Sequence, residues 1–177
     1  MKNKWTIRKS NQSDVQAVTS LLLVSWLDTY VNEELGITRQ FIFDSQIHYL
    51  TYDFYSNDCK FEYFNNTKDN LHMVAVDSNE IVVGFLHCRR EEGKQHFSGL
   101  YLMPEFKGSG LAQEFAERFS AWEDENMDSE VGVVEYNDRA IRFYKKLGFE
   151  PNGVKYKIRD KIPCIDLVKK NVTENKQ

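Results

Sequence analysis

The chain has 177 residues, 41% of them hydrophobic and 28% charged, with only 9 Gly and 3 Pro. That composition excludes collagen, low-complexity and disordered chains, and the length suits one globular domain that needs no disulfide or metal staple. A formal charge of −4 argues against a nucleic-acid partner, while aromatic residues are in excess at 14% of the chain.

The amino terminus is polar and no apolar run is long enough to span a bilayer, so the expectation is a cytoplasmic protein without a membrane partner. Cys59, Cys88 and Cys164 stand far apart, as reduced thiols do, and His48, His72, His87 and His96 form no ligand pattern, so no metal is expected. The N-x-[ST] matches at Asn65 and Asn171 are then chance.

Lys4–Arg8 alternates weakly and predicts a first strand. Asn11 to Asp14 is a helix-start cluster, followed by Val15, Val18, Leu21 and Leu22 at helical spacing. Between Trp26 and Asn70 the pattern is less regular, with a helix expected near Thr38–Leu50. Leu71–Val76 and Ile81–Arg90 read as strands joined by the turn-forming run Asp77 to Glu80. Glu91 to Lys94 turns the chain into a third strand ending near Met103 and Pro104.

Next comes Phe106-Lys107-Gly108-Ser109-Gly110-Leu111-Ala112, opening a helix with Leu111, Phe115, Phe119 and Trp122 on one stripe. Val131–Val134 is a short strand. Asn137 caps a second helix that ends at Gly148, with Phe149 placed to cover the cap. Val154–Arg159 and Ile162–Val168 close the fold. The result is α/β (α+β) with a mixed sheet: one domain over residues 1–170, then a polar tail at 171–177.

A strand, a glycine-rich loop and a helix amino terminus in that order form a phosphate-binding device, to which Lys107 adds a positive charge. A plain strand-to-helix turn is the competing explanation. Neither the Walker loop nor the dinucleotide fingerprint is present, since Gln113 stands where the latter needs glycine. Asn137, Ala140, Ile141 and Tyr144 share one face of the second helix, which brings a phenol toward whatever the loop holds.

Leu100–Ala112 resembles the acetyl-CoA-binding motif of the GCN5-related N-acetyltransferases, and Asn137–Phe149 resembles that family's second motif. Lys107 departs from the usual Gln or Arg at the head of the loop. The resemblance implies a mostly antiparallel central sheet flanked by helices, with residues 97–149 as the cofactor core and 26–70 as the acceptor side. It implies acetyl-CoA as acyl donor. The backbone of Tyr101, Leu102 and Met103 then pairs with the pantetheine arm, Lys107 acting through its backbone N–H, and Lys107, Gly108, Ser109, Gly110, Leu111 and Ala112 wrap the pyrophosphate. Asn137 bonds the arm, and Tyr144 protonates the departing thiolate after direct attack by an amine. Alternatively, the chain is an idle acyl-CoA-binding sensor or interaction domain; a homodimer fits either reading.

Many relatives carry a glutamate just before the Leu-Tyr-Leu triplet, where this chain has Phe97-Ser98-Gly99. The base is therefore open. A four-residue turn at Glu91–Lys94 would set His87 opposite Ser98, making it a candidate, with Glu135 a second; the competing readings are a strand histidine with a satisfied hydrogen bond and a solvated residue after the strand. Residues 26–70 hold eight acids against three bases and 11 of the 24 aromatics, a composition that suits a cationic amine (polyamine, amino sugar or peptide amine) or an aromatic core with an acidic rim. Trp26-x-x-x-Tyr30 and Gly36-Ile37-Thr38 loosely resemble the polyamine acetyltransferase branch, which marks Trp26 and Tyr30 as candidate acceptor contacts.

Overall fold

β1 (Trp5–Lys9) leads into a capping box in which Asn11 and Asp14 satisfy each other's turn, and that box launches α1 (Val15–Thr29). The computed structural model describes residues 5–47 and 66–171. α1 runs one turn beyond its sequence expectation because Trp26 buries against Val134 and Cys164. Thr38 caps α2 (Arg39–Gln46), its hydroxyl accepting from the Phe41 amide at 3.1 Å. Positions 48–50 of the helix expected there lie outside the described residues.

Three strands then form a meander: β2 (Asn70–Asp77), β3 (Val82–Glu91) and β4 (Lys94–Leu102). A 3-10 turn at Pro104–Phe106 and the glycine loop follow, then α3 (Leu111–Trp122), β5 (Ser129–Val134) and α4 (Asp138–Lys146). β6 (Glu150–Ile158) and β7 (Ile162–Lys169) end the fold. β6 begins earlier than the sequence suggests, because Gly148, at φ 91°, reverses the chain and the Phe149 amide bonds the Tyr144 carbonyl at 3.1 Å.

The seven strands make one sheet in the order β1-β2-β3-β4-β5-β7-β6, antiparallel except for the β4–β5 pair. One face packs α3 and α4 through Leu86, Phe97, Phe115, Phe119, Val131, Tyr144 and Phe149. The other packs α1 and α2 through Val18, Leu21, Phe85, Trp26, Ile42 and Cys164. Gly84 lets α3 and β4 close on β3, since a Cβ there would stand 2.7 Å from the Leu102 side chain.

One register differs from expectation. The Glu91–Lys94 turn forms, and Cys88 pairs with Phe97, but β4 then bulges so that His87 faces Gly99 rather than Ser98. The extra residue leaves Ser98 unpaired and exposed.

Candidate active site

β4 and β5 pair at two positions, Gln95↔Ser129 and His96↔Glu130, and then diverge. Beyond that point β4 runs to Leu102 and β5 to Val134 with a wedge-shaped gap between them. The Met103 amide donates to the Val83 carbonyl at 2.9 Å. Antiparallel alternation from that bond turns the backbone groups of Tyr101 toward β3 as well, and those of Leu100 and Leu102 toward the gap. This corrects the sequence expectation for the arm: of the triplet Tyr101–Met103, only Leu102 offers its backbone there, and Leu100 joins it.

At the wide end of the gap the chain makes the glycine loop. Gly108 has φ 84° and Gly110 φ 101°, and a Cβ on either would meet nothing within 4 Å. The glycines therefore serve both a left-handed backbone and an open space. Among the described residues the amides of Gly108 and Gly110 make no hydrogen bond, and that of Ala112 lies in the first turn of α3, where no intrahelical acceptor exists. Open amides around a helix amino terminus fit a pyrophosphate. Ser109 shapes the loop, donating to the Phe106 carbonyl at 2.6 Å and accepting from the Leu111 amide at 3.3 Å.

Lys107 behaves differently from its sequence reading. Its ammonium pairs with Asp28 near the end of α1 and lies 3.4 Å from the Thr29 hydroxyl, while its amide bonds the Pro104 carbonyl at 3.1 Å. The side chain thus anchors the loop to α1, and the backbone N–H is already used. Nothing in local sequence flags Asp28, because the partners are far apart in the chain and meet only when α1 crosses the sheet.

The narrow part of the gap is aromatic. Tyr144, on α4, is 6% exposed, with its ring 5.2 Å from those of Phe97 and Phe143 and 5.8 Å from Phe149. Its hydroxyl makes no hydrogen bond among the described residues. Burial pushes its pKa well above the ordinary tyrosine value, with the Tyr101 phenol a second contributor, so it stays protonated at neutral pH. Asn137 caps α4 through its side-chain oxygen, which accepts from the Ala140 amide at 3.1 Å and leaves its NH2 group available to donate.

From the α1 side, Trp26 donates to the Tyr101 hydroxyl at 3.3 Å, and the Tyr30 and Tyr101 hydroxyls are also 3.3 Å apart. Tyr136 donates to the Tyr30 carbonyl at 2.5 Å. The structure therefore brings Trp26, Tyr30, Tyr101 and Tyr144 to one cleft; Tyr136 belongs with them and was not among the sequence candidates. Beside Tyr136 a cavity of about 510 Å³ opens, lined in part by Glu34, Glu135, Lys157 and Lys161. Glu135 is ion-paired with Lys155.

His87 stands apart from this cleft. It is 2% exposed, accepts or donates with Asn70 at 2.8 Å, and lies 5.5 Å from the His72 ring. Burial, with Arg89 adding to it, lowers its pKa to about 4.

The profile described as "Acetyltransferase (GNAT) domain" matches residues 29–170. The chain belongs to the GNAT acetyltransferase family. PaiA N-acetyltransferase from Thermoplasma acidophilum, solved with coenzyme A, shares this GNAT fold with a TM-score of 0.72 at 20% identity, over 94% of this chain and 98% of that one. Peptidyl-lysine N-acetyltransferase YjaB of Escherichia coli K12 is 31% identical over 80 residues, 45% of this chain; the match spans 50% of that relative's length. A spermidine N-acetyltransferase SpeG chimera from Vibrio cholerae and hSSAT aligns with a TM-score of 0.57 at 15% identity, over 96% of this chain and 97% of that one. Among the described residues, no helix is long and apolar enough to cross a membrane.

Proposed function

We propose that this GNAT protein transfers an acetyl group from acetyl-CoA to a primary amine by direct attack. The observation that carries the reading is the β4–β5 gap, with open loop amides at one end and Tyr144, packed on Phe97, at the other. The loop amides of Gly108, Gly110 and Ala112 hold the pyrophosphate, and the Asn137 NH2 and the gap-facing backbone of Leu100 and Leu102 hold the extended arm. The thioester supplies the activated acyl group. Tyr144 donates its proton to the departing sulfur, help worth roughly 10² to 10⁴ in rate.

The acceptor in this reading is an amine that arrives as a cation, whether polyamine, amino sugar or peptide lysine. Tyr30 and Trp26 offer aromatic faces at the cleft, and Glu33 and Glu34 put carboxylates just past the end of α1. The activities for which YjaB and SpeG are named, on peptidyl-lysine and on spermidine, are both acetylations of primary amines.

The test is thiol release from acetyl-CoA against an amine panel, beside thermal melts with CoA alone. A cofactor at about 100 times its Kd stabilises the fold by about 2.7 kcal/mol. Stabilisation together with amine-dependent thiol release is the expected outcome. Stabilisation without release from any amine would instead make the protein a sensor, and turnover of glutamate but not of spermidine, aminoglycosides or lysine peptides would remove the cationic acceptor.

A further inference from the structure

The departure from the family at Phe97-Ser98-Gly99 leaves the amine without an obvious group to take its proton, and the sheet supplies one at the vertex of the gap. His96 and Glu130 are the last residues to pair before β4 and β5 separate. Side chains alternate along a strand, so Phe97 turns toward α4, where it touches Tyr144, and His96 turns to the α1 face. Glu130 and Gly132 share that face with Val134, which packs on Trp26. His96 and Tyr144 therefore flank the vertex from opposite sides of the sheet.

The His96 side of the vertex is open. Ser98 and Gly132 are exposed there although both lie within strands, and Tyr156 is 39% exposed. A Cβ at Gly132 would run into the Tyr156 hydroxyl, so the glycine keeps the floor low and the phenol lies across it. The charged groups facing His96 come from every neighbouring strand. Glu130 of β5 stands 3.9 Å from its Nδ1 while holding Lys94 of β4 at 2.6 Å. Arg89 is its cross-strand partner on β3 and is itself paired with Glu91 at 3.1 Å. Asp166 of β7, hydrogen-bonded by Tyr156 of β6, completes the rim; burial raises its pKa, and Glu130 adds to the rise.

We propose that His96, positioned by Glu130 at the point where β4 and β5 part, is the catalytic residue that takes the proton from the acceptor's ammonium. The assignment rests on the acetyltransferase reading above. The ammonium gives one proton to the imidazole, and its freed lone pair forms the C–N bond to the thioester carbon. The C–S bond breaks with its electron pair going to sulfur, which takes the Tyr144 proton. The nitrogen then loses its second proton to restore Tyr144, and the imidazolium returns its proton to water. Amide, thiol and one released proton balance the amine cation and thioester consumed.

The experiment compares wild type, His96→Gln and Glu130→Gln. In thiol-release assays from pH 6 to 10, His96→Gln is expected to lose at least about 100-fold in kcat/KM near pH 7 and to recover as the amine deprotonates in solution. Glu130→Gln is expected to show a smaller loss, with Tm and CoA binding retained in both. As a readout apart from turnover, NMR signals of the His96 ring should shift when an amine is added to the CoA complex. A wild-type pH profile in His96→Gln, or a His96 ring insensitive to the amine, overturns the assignment while leaving the acetyltransferase intact. A wild type that binds CoA but turns over no amine overturns both.

Discussion

Tyr144→Phe separates chemistry from packing because it removes one oxygen and keeps every ring contact. The ring stays wedged among Phe97, Phe143 and Phe149 at 5.2, 5.2 and 5.8 Å. The hydroxyl makes no hydrogen bond among the described residues, and although the residue is 6% exposed the oxygen keeps some contact with solvent. A buried polar group without a partner costs about 1–3 kcal/mol. With its residual exposure discounted, the variant should gain about 1 kcal/mol, or about 2–4 °C in Tm for a domain of this size. Activity should move the other way, falling about 10²- to 10⁴-fold in kcat with little change in KM, since the proton is needed only as the sulfur leaves. Calorimetry and thiol-release kinetics on the same preparations read both. A kcat within a few-fold of wild type would refute the acid role, and a Tm that falls together with activity would show that the hydroxyl is structural.

The two buried histidines make stability acid-sensitive. Burial lowers the pKa of His72 to about 3, with His87 reinforcing it, and that of His87 to about 4, so both are neutral in the folded state and charge only on unfolding. Their contribution is intact above the ordinary value of 6.5 and is lost as pH falls toward 4, at up to about 1.4 kcal/mol per pH unit for each. Urea titrations at pH 7, 6 and 5 should show this slope and His72→Leu should roughly halve it; an identical slope would show that these imidazoles are not the source. Gly110→Ala places a Cβ in the loop's open space at φ 101°. CoA affinity should fall at least about tenfold by calorimetric titration, since the strained backbone alone costs of order 1–3 kcal/mol; affinity within twofold of wild type would mean that the loop does not hold the phosphates.

The cofactor half of the fold was largely legible because its signals are local. Gly108, Gly110, the Asn137 cap and the Gly148–Phe149 stop each act within a few residues of their position, and the stripe through Leu111, Phe115 and Phe119 is a helical period. The details that depend on pairing were not legible. The bulge at Ser98 moved His87 by one partner, and its burial beside Asn70 took it out of the cleft. Asp28 as the anchor of Lys107, and His96 beside Glu130, are meetings of segments far apart in sequence. Of the acidic, aromatic stretch from 26 to 70, Trp26 and Tyr30 meet the Tyr101 hydroxyl, while Tyr49, Tyr52, Tyr55 and Tyr63 lie outside the described residues.

The divergence of β4 from β5 also leaves two strand edges facing each other inside one sheet. Such edges ordinarily invite other chains, and proteins blunt them with charge, bulges or covering elements. Here the rims of the opening carry the Ser98 bulge and the Lys94–Glu130 pair, and aromatic rings fill its depth. Admission is thereby sorted by thickness: a strand with alternating side chains meets the rings of Tyr101 and Tyr144, whereas a thin unbranched chain with amide groups can satisfy the open edge. In the proposed binding mode the small-molecule guest completes the sheet in the manner of an added strand, and the same guest removes the hazard of an unfinished edge.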